Sequence, residues 1–244
     1  MPRFFVKKEQ IDSDVIRIFE GDAHHIARSL RMAVGDEVTV SDGEGKEYLC
    51  RLTRIRDEEC ECEIISEGIG ATESPVEITL CMAYPKGDKL ETVIQKAVEL
   101  GASRILPFES SRCIKRPKAE KVDRQLARLS KIAEEAAKQC GRARIPTVMA
   151  PLSFKEMLKT AAECELTLFC YEAAEEFSIK NVLRSHTRPS SCAVIVGSEG
   201  GFSEEEARLA AESGAVTVSL GRRILRCETA PDFALTAISY EYEM

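Results

Sequence analysis

Two short stretches near the C-terminus hold most of the residues able to do chemistry: GSEGGFSEEEARLA, beginning at Gly197, and LGRRILRCETA, beginning at Leu220. In the second, Arg222, Arg223, Arg226 and Glu228 stand between two apolar runs. Ionised groups between buried elements must be paired or turned toward a ligand, so a purely structural loop is the weaker reading. Arginine suits an anion or a developing negative charge, because its fork of donors matches carboxylate and phosphate oxygens. In the first stretch Gly197, Gly200 and Gly201 free the backbone, and Ser203 with Glu206 spells a capping box that starts a helix. A ligand can approach bare amides at such a helix N-terminus; the plain alternative is a tight turn with no ligand. The spacing is neither GxGxxG with a distant acid nor a phosphate loop ending in Lys-Ser/Thr, which argues against nicotinamide and nucleoside triphosphates.

Both stretches follow short apolar runs, CAVIV and AVTVSL, that read as strands, and in parallel sheets ligands gather at the carboxyl ends of strands. Upstream, the strand VEITLCMAYP precedes a helix over about Asp88 to Leu100, whose Leu90, Val93, Ile94, Ala97 and Val98 form one apolar stripe. Gly101 is placed to end it. Then come the strand SRILPF, a basic helix over about 120 to 140, a helix opened by Ser153 with Glu156 as a capping box, and the strand LTLFCYE. This alternation predicts an α/β domain with a largely parallel sheet and right-handed crossovers. From Val15 to Ser66 the period changes: VIRIF, EVTVS, EYLCRL and CECEII, with the turn DGEG at 42 to 45, are strand and hairpin patterns. In CECEII, Cys60, Cys62 and Ile64 share one face and Glu61 and Glu63 the other. A short helical turn between the first strands carries His24, His25, Arg28 and Arg31. GIGATES, residues 68 to 74, divides the two patterns, so the expected domains are a small β-barrel over 1–70 and the α/β domain over 75–244.

The 244 residues, 31% charged and 44% hydrophobic, describe a globular chain with a sizeable core. No apolar run approaches a membrane span, and MPRFFVKKEQ lacks the apolar core of a signal peptide, so a cytosolic protein is expected. The ten cysteines contain no CxxC pair; reduced thiols are expected, and no metal. The net charge of −7 hides an asymmetry: Arg104 to Arg144 contains twelve lysines and arginines against five acids, a surplus of seven. Such a run is either a solvated helix face or a phosphate-binding surface.

The segments VGSEGGFSEEE and LGRRILRCETA resemble the two signature segments of the RsmE family, bacterial methyltransferases of the SPOUT superfamily that modify N3 of a uridine in 16S ribosomal RNA. The resemblance extends along the chain through RFF at 3 to 5, HHIARSLRMAVGDEV at 24 to 38, YPKGDKLETVIQKAVELGASRILPF at 84 to 108 and EEAAKQCGRARIP at 134 to 146. Two positions depart from the family pattern. Ser198 stands where proline is usual, and Cys227 where threonine is common.

The resemblance implies a PUA-like β-barrel that helps hold RNA, followed by a SPOUT-type parallel sheet whose C-terminal chain forms a trefoil knot. It implies S-adenosylmethionine as cofactor, a homodimer with active sites at the interface, and 16S rRNA or the small ribosomal subunit as partner. Carried onto this sequence, the cofactor loops comprise Tyr171, Glu172 and the stretch after them, then Gly197, Ser198, Glu199, Gly200 and Gly201, then Leu220, Gly221, Ile224 and Leu225. Arg226 is the first candidate to offset charge on the uracil carbonyls or to grip a phosphate, with Glu228 and Glu199 as candidate bases or, for Glu228, the orienter of Arg226. Arg3, His25, Arg28, Arg31, Lys86, Arg112 and Arg142 are candidates for RNA. A Cys227 thiolate adding to the pyrimidine is a rival mechanism, against which stands the fact that N3 methylation needs no covalent adduct. A non-catalytic RNA-binding module, and a SPOUT methyltransferase acting on transfer RNA, are the competing functions.

Overall fold

A computed structural model describes residues 1–114, 119–172 and 177–244. Lys115, Arg116 and Lys118 of the basic run, and residues 173–176 of the first expected cofactor loop, lie outside the described residues. The chain forms two compact units, one of residues 1–73 and 137–145, the other of 74–136 and 146–244.

In the first unit β1 (Arg3–Phe5), β2 (Ile11–Asp12), β3 (Val15–Phe19), β4 (Glu37–Ser41), β5 (Lys46–Ile55) and β6 (Glu59–Ile69) make a six-stranded sheet in the order β1-β4-β5-β6-β3-β2. Only the β1–β4 pair is parallel. The order is an open path: no ladder joins β1 to β2 among the described residues, where the sequence suggests a barrel. Alternation sets the faces. Cys60 and Cys62 are fully buried with Ile16, Ile18, Val38, Val40 and Leu52, while across the outer face Arg51 stands between Glu37 at 3.3 Å and Glu63 at 3.5 Å. The helical turn expected after β3 is α1 (Glu20–His24) continued by a wider turn over His25–Ser29. It exposes His25, Arg28 and Arg31 while Ala23 and Ile26 enter the core.

The dividing stretch is packed rather than slack. β6 runs on to Ile69, and a side chain at Gly70 would come within 2.1 Å of the Ala143 Cβ. Glu73 accepts from Arg142 Nη2 at 2.6 Å and from the Ala143 and Arg144 amides at 3.0 and 3.1 Å. This holds 137–145 to the first unit, although sequence proximity assigns it to the second. Arg142, an RNA candidate from the sequence, is only 3% exposed with its guanidinium on Glu73. In this arrangement it secures a chain segment instead of offering charge to solvent. Arg3 is half-buried, bonded to Glu47 and to the Arg142 carbonyl.

Burial pushes the Glu73 carboxyl upward, but hydrogen bonds and charge from Arg142, with the two amides, hold it below its ordinary value of 4.5. A depressed folded value contributes stability that is complete above the unfolded value and drains as pH falls through the folded one. The thermal midpoint of the wild type should therefore fall faster than that of Glu73→Gln between pH 5 and pH 3, and parallel declines would refute this account.

The second unit contains β7 (Glu77–Ala83), α2 (Lys89–Glu99), β8 (Ala102–Glu109), most of α3 (Val122–Cys140), β9 (Thr147–Val148), β10 (Leu152–Ser153), α4 (Phe154–Ala161), β11 (Leu166–Cys170), α5 (Ile179–Ser185), β12 (Ser191–Val196), α6 (Glu204–Glu212), β13 (Val216–Val218) and α7 (Thr229–Tyr242). All its strand pairs are parallel, in the order β10-β8-β7-β12-β11-β13 with β9 beside β8. The expected stripe of α2 is buried, and Gly101 ends the helix at φ +89°. Both capping boxes form as expected, at Ser153 with Glu156 and at Ser203 with Glu206.

Candidate active site

β12 lies between β7 and β11, and β13 adds beyond β11, all parallel. Their carboxyl ends therefore fall on one edge of the sheet, and four connections meet there: Tyr84 to Asp88, Tyr171 and Glu172, Gly197 to Ser203, and Ser219 to Glu228. The turns at 197 and 221, more than twenty residues apart in sequence, line a single cavity of about 490 Å³. Among the described residues it receives every candidate cofactor residue named from the sequence except Gly200. Its volume falls within the few hundred to a thousand Å³ typical of small-molecule sites. Val196, Phe202, Ile224 and Leu225 give it apolar walls, while Lys89, Glu199 and Arg226 bring charge.

The glycine turn is built by local rules. The Gly201 amide donates to the Ser198 carbonyl at 2.9 Å, and Gly201 sits at φ +61°. A Cβ there would stand 2.8 Å from Glu172 Oε1, a side-chain end that can move aside, so it is the conformation that favours glycine. Beneath the turn the Glu206 carboxylate is buried and accepts from the Ser203 amide and hydroxyl and from the Ser111 amide and hydroxyl, at 2.7 to 3.1 Å. Arg112 Nη1 donates to the Gly200 carbonyl at 3.1 Å. This RNA candidate therefore lies over the turn itself. The second turn reverses at Gly221, φ +111°. It then passes into α7 through the Arg226 carbonyl, which accepts from the Thr229 and Ala230 amides at 2.9 Å.

At the polar end Lys89, on the first turn of α2, places its Nζ 3.0 Å from Glu199 Oε1 and 3.1 Å from Glu228 Oε2. The Lys86 amide adds bonds to Glu199 at 3.2 and 3.3 Å. Lys89 is not among the residues that the sequence singles out; of the two lysines in YPKGDKLETV, Lys86 is the RNA candidate, and here it gives its backbone amide to Glu199 and leaves its side chain exposed. The available signal is the position of Lys89 at the start of a helix that follows a strand's carboxyl end. Glu228 holds Lys89 rather than orienting Arg226, whose guanidinium makes no ion pair among the described residues.

Burial pushes the Glu199 carboxyl up, but its own backbone amide, Lys89 and the Lys86 amide outweigh that and hold it below the ordinary carboxylate value. Glu228 is held low by its own backbone amide, the Cys227 thiol and Lys89. Lys89 is raised by both carboxylates. Burial, then Glu228, pushes the Cys227 thiol up to about 12. The thiol donates to Glu228 Oε2 at 3.2 Å. At neutral pH it stays protonated, which removes the thiolate that covalent addition to a pyrimidine needs.

No helix among the described residues is long and apolar enough to cross a membrane, and these residues contain no cluster suited to a metal ion.

Comparison with known proteins agrees with this architecture. An RNA methyltransferase domain family matches residues 72–239, and the PUA domain of RNA methyltransferases matches residues 20–65. The ribosomal RNA small subunit methyltransferase E of Bacillus subtilis is 35% identical over 251 residues, covering 100% of this chain and 98% of its own. The protein of the same name from Synechocystis is 33% identical, covering 97% of this chain and 77% of its own. The crystal structure of ribosomal RNA small subunit methyltransferase E from Neisseria gonorrhoeae bound to S-adenosyl methionine superposes with a TM-score of 0.86 at 32% identity, covering 98% of this chain and 97% of that one.

Proposed function

Because the chain belongs to the ribosomal RNA small subunit methyltransferase E family, and is thus an S-adenosylmethionine-dependent rRNA methyltransferase, we propose that it methylates N3 of one uridine in 16S rRNA, with the cavity between the 197 and 221 turns as its cofactor site. The observation that carries this reading is the convergence of both turns and the Lys89 cluster at one carboxyl edge of the sheet. The residues present suit the cofactor: backbone groups of the two turns and of Tyr171 would meet its polar edges, Ile224 and Leu225 would form an apolar wall, and the cavity's carboxylates would suit its positive charge.

When bound, the cofactor supplies a methyl group made electrophilic by the sulfonium. Uracil N3 carries a proton and is a poor nucleophile, so the protein must help remove that proton or stabilise the anion it leaves. Glu199 and Glu228 are the carboxylates in place to accept it. Their lowered proton affinity makes them weak bases, so more of the work falls on positive charge aimed at the uracil carbonyls. Arg226, which lines the cavity and is not engaged by a carboxylate among the described residues, supplies it. Lys89 keeps the two carboxylates charged and fixed.

Residues 1–70 serve RNA holding and 75–244 the chemistry, in line with the separate family matches. Exposed His25, Arg28 and Arg31 on the first unit, and Lys86 and Arg112 on the second, are the phosphate contacts this reading favours. The same reading includes a trefoil-knotted C-terminal chain, action in the cytosol, and a homodimer. Exposed Ile224, Phe233 and Tyr240 would meet the second copy, and a monomeric mass by light scattering would refute that part.

The test is methylation of small subunits, and of free 16S rRNA, that lack the mark, followed by nucleoside mass spectrometry. N3-methyluridine is the expected product, and RNA retention should weaken steeply with added salt. A methyl group on another atom, or on transfer RNA alone, would overturn the assignment.

A further inference from the structure

The glycine turn holds one polar atom that nothing in the protein satisfies. Ser198 is 6% exposed, and its Oγ has no hydrogen-bond partner among the described residues. A hydroxyl carries one donor and two acceptor sites, and buried polar atoms are paired in the large majority of cases, so an exception calls for a reason. The neighbourhood is not loosely built. Ser203 Oγ and Ser111 Oγ both bond to Glu206, Ser110 Oγ meets Cys113 Sγ, and the Ser198 carbonyl accepts from the Gly201 amide. Phe202 and Gly201 fill the space at Gly197, where an added Cβ would stand 3.2 and 3.3 Å from them. The turn is thus fixed in place with the hydroxyls of Ser203, Ser111 and Ser110 paired and that of Ser198 not, and Ser198 lines the cavity.

We propose that Ser198 Oγ makes a hydrogen bond to the S-adenosylmethionine held in this cavity, adding a side-chain contact to a turn that otherwise offers backbone groups. The inference rests on the assignment of the cavity to that cofactor. It concerns a feature of this chain, since proline, usual at this position in the family pattern, has no side-chain polar atom. Only one bond must turn: rotation between staggered χ1 positions swings a serine hydroxyl without moving the backbone. Of the charged groups in the cavity, Glu199 is already paired with Lys89, which also holds Glu228.

Calorimetric titration of S-adenosylmethionine and S-adenosylhomocysteine into the full chain and into Ser198→Ala, with thermal midpoints of both ligand-free proteins, tests the proposal. Ser198→Ala should bind both ligands about fivefold more weakly or worse, while its ligand-free midpoint stays level or rises, because the lost hydroxyl had no partner in the protein. Affinities within twofold of wild type would overturn the proposal and leave the hydroxyl an internal orphan. A ligand-free midpoint lowered along with affinity would overturn it too, by making the residue structural. If the unchanged protein binds neither ligand, the cofactor assignment falls first and this inference with it.

Discussion

Replacing Arg226 by alanine is expected to lower methyl transfer about 10²- to 10³-fold, the cost typical of removing a preorganised donor aimed at developing charge, while S-adenosylmethionine affinity stays within about threefold. The expectation follows from how the charges around the cavity are divided. Lys89 is committed to Glu199 and Glu228, whereas Arg226 lines the cavity with no carboxylate on it among the described residues. The substitution spares the backbone carbonyl that caps α7 through Thr229 and Ala230, so a folding defect is not the expected cause of a loss. Single-turnover rates and equilibrium titration separate the two effects. A collapse in cofactor affinity as large as the loss in rate would make Arg226 a cofactor-binding residue. Glu228→Gln serves as the companion variant: it keeps the shape but removes half of the charge that holds Lys89, and unchanged turnover in both variants would discard the assignment.

Phe202→Ala should cost about 3–5 kcal/mol of stability, the range for truncating a buried aromatic. For a chain of this size that lowers the thermal midpoint by roughly 10 °C. Phe202 is 1% exposed and sits in an aromatic group, its ring centroid 4.3 Å from Phe169, 6.2 Å from Phe154 and 6.4 Å from Phe108. It also forms a wall of the cavity, and its ring lies 3.2 Å from where a side chain at Gly197 would begin. Truncation therefore removes packing and the floor of the glycine turn together, so cofactor binding should weaken in the folded remainder. Phe202→Leu keeps most of the volume and should recover much of the loss. Calorimetric unfolding decides the matter, and a midpoint for Phe202→Ala within about 2 °C of wild type would refute the packing account.

Much of the site's local construction is legible in the letters. The box of Ser203 with Glu206, the stripe of α2 ended by Gly101, and the buried cysteines of β6 all follow from spacing, because capping, helical period and strand alternation act over a few residues. The same local rules are silent about partners far away in the chain. Nothing in the periodicity around Ser111 announces that it will share the Glu206 carboxylate 95 residues later. Nothing near Arg142 shows that Glu73 will bury its charge from 69 residues upstream. Lys89 goes unmarked in the sequence for a related reason: it opens α2, and only the positions of Glu199 and Glu228, more than a hundred residues away, give its charge a partner.

By itself, then, the sequence determined which elements form, that one half pairs strands while the other alternates strand and helix, and that the charged and glycine-rich turns fall at the ends of strands. Tertiary structure alone decided that those turns share a cavity, because the sheet order β7-β12-β11-β13 brings four carboxyl ends to one edge. It also decided that Lys89 joins Glu199 to Glu228 and that Ser198 is left with an unspent hydroxyl. The physical reason is range: backbone preference and hydrophobic period are settled between near neighbours, whereas charge pairing and cavity shape depend on distances that exist only after strands remote in sequence have come to lie side by side.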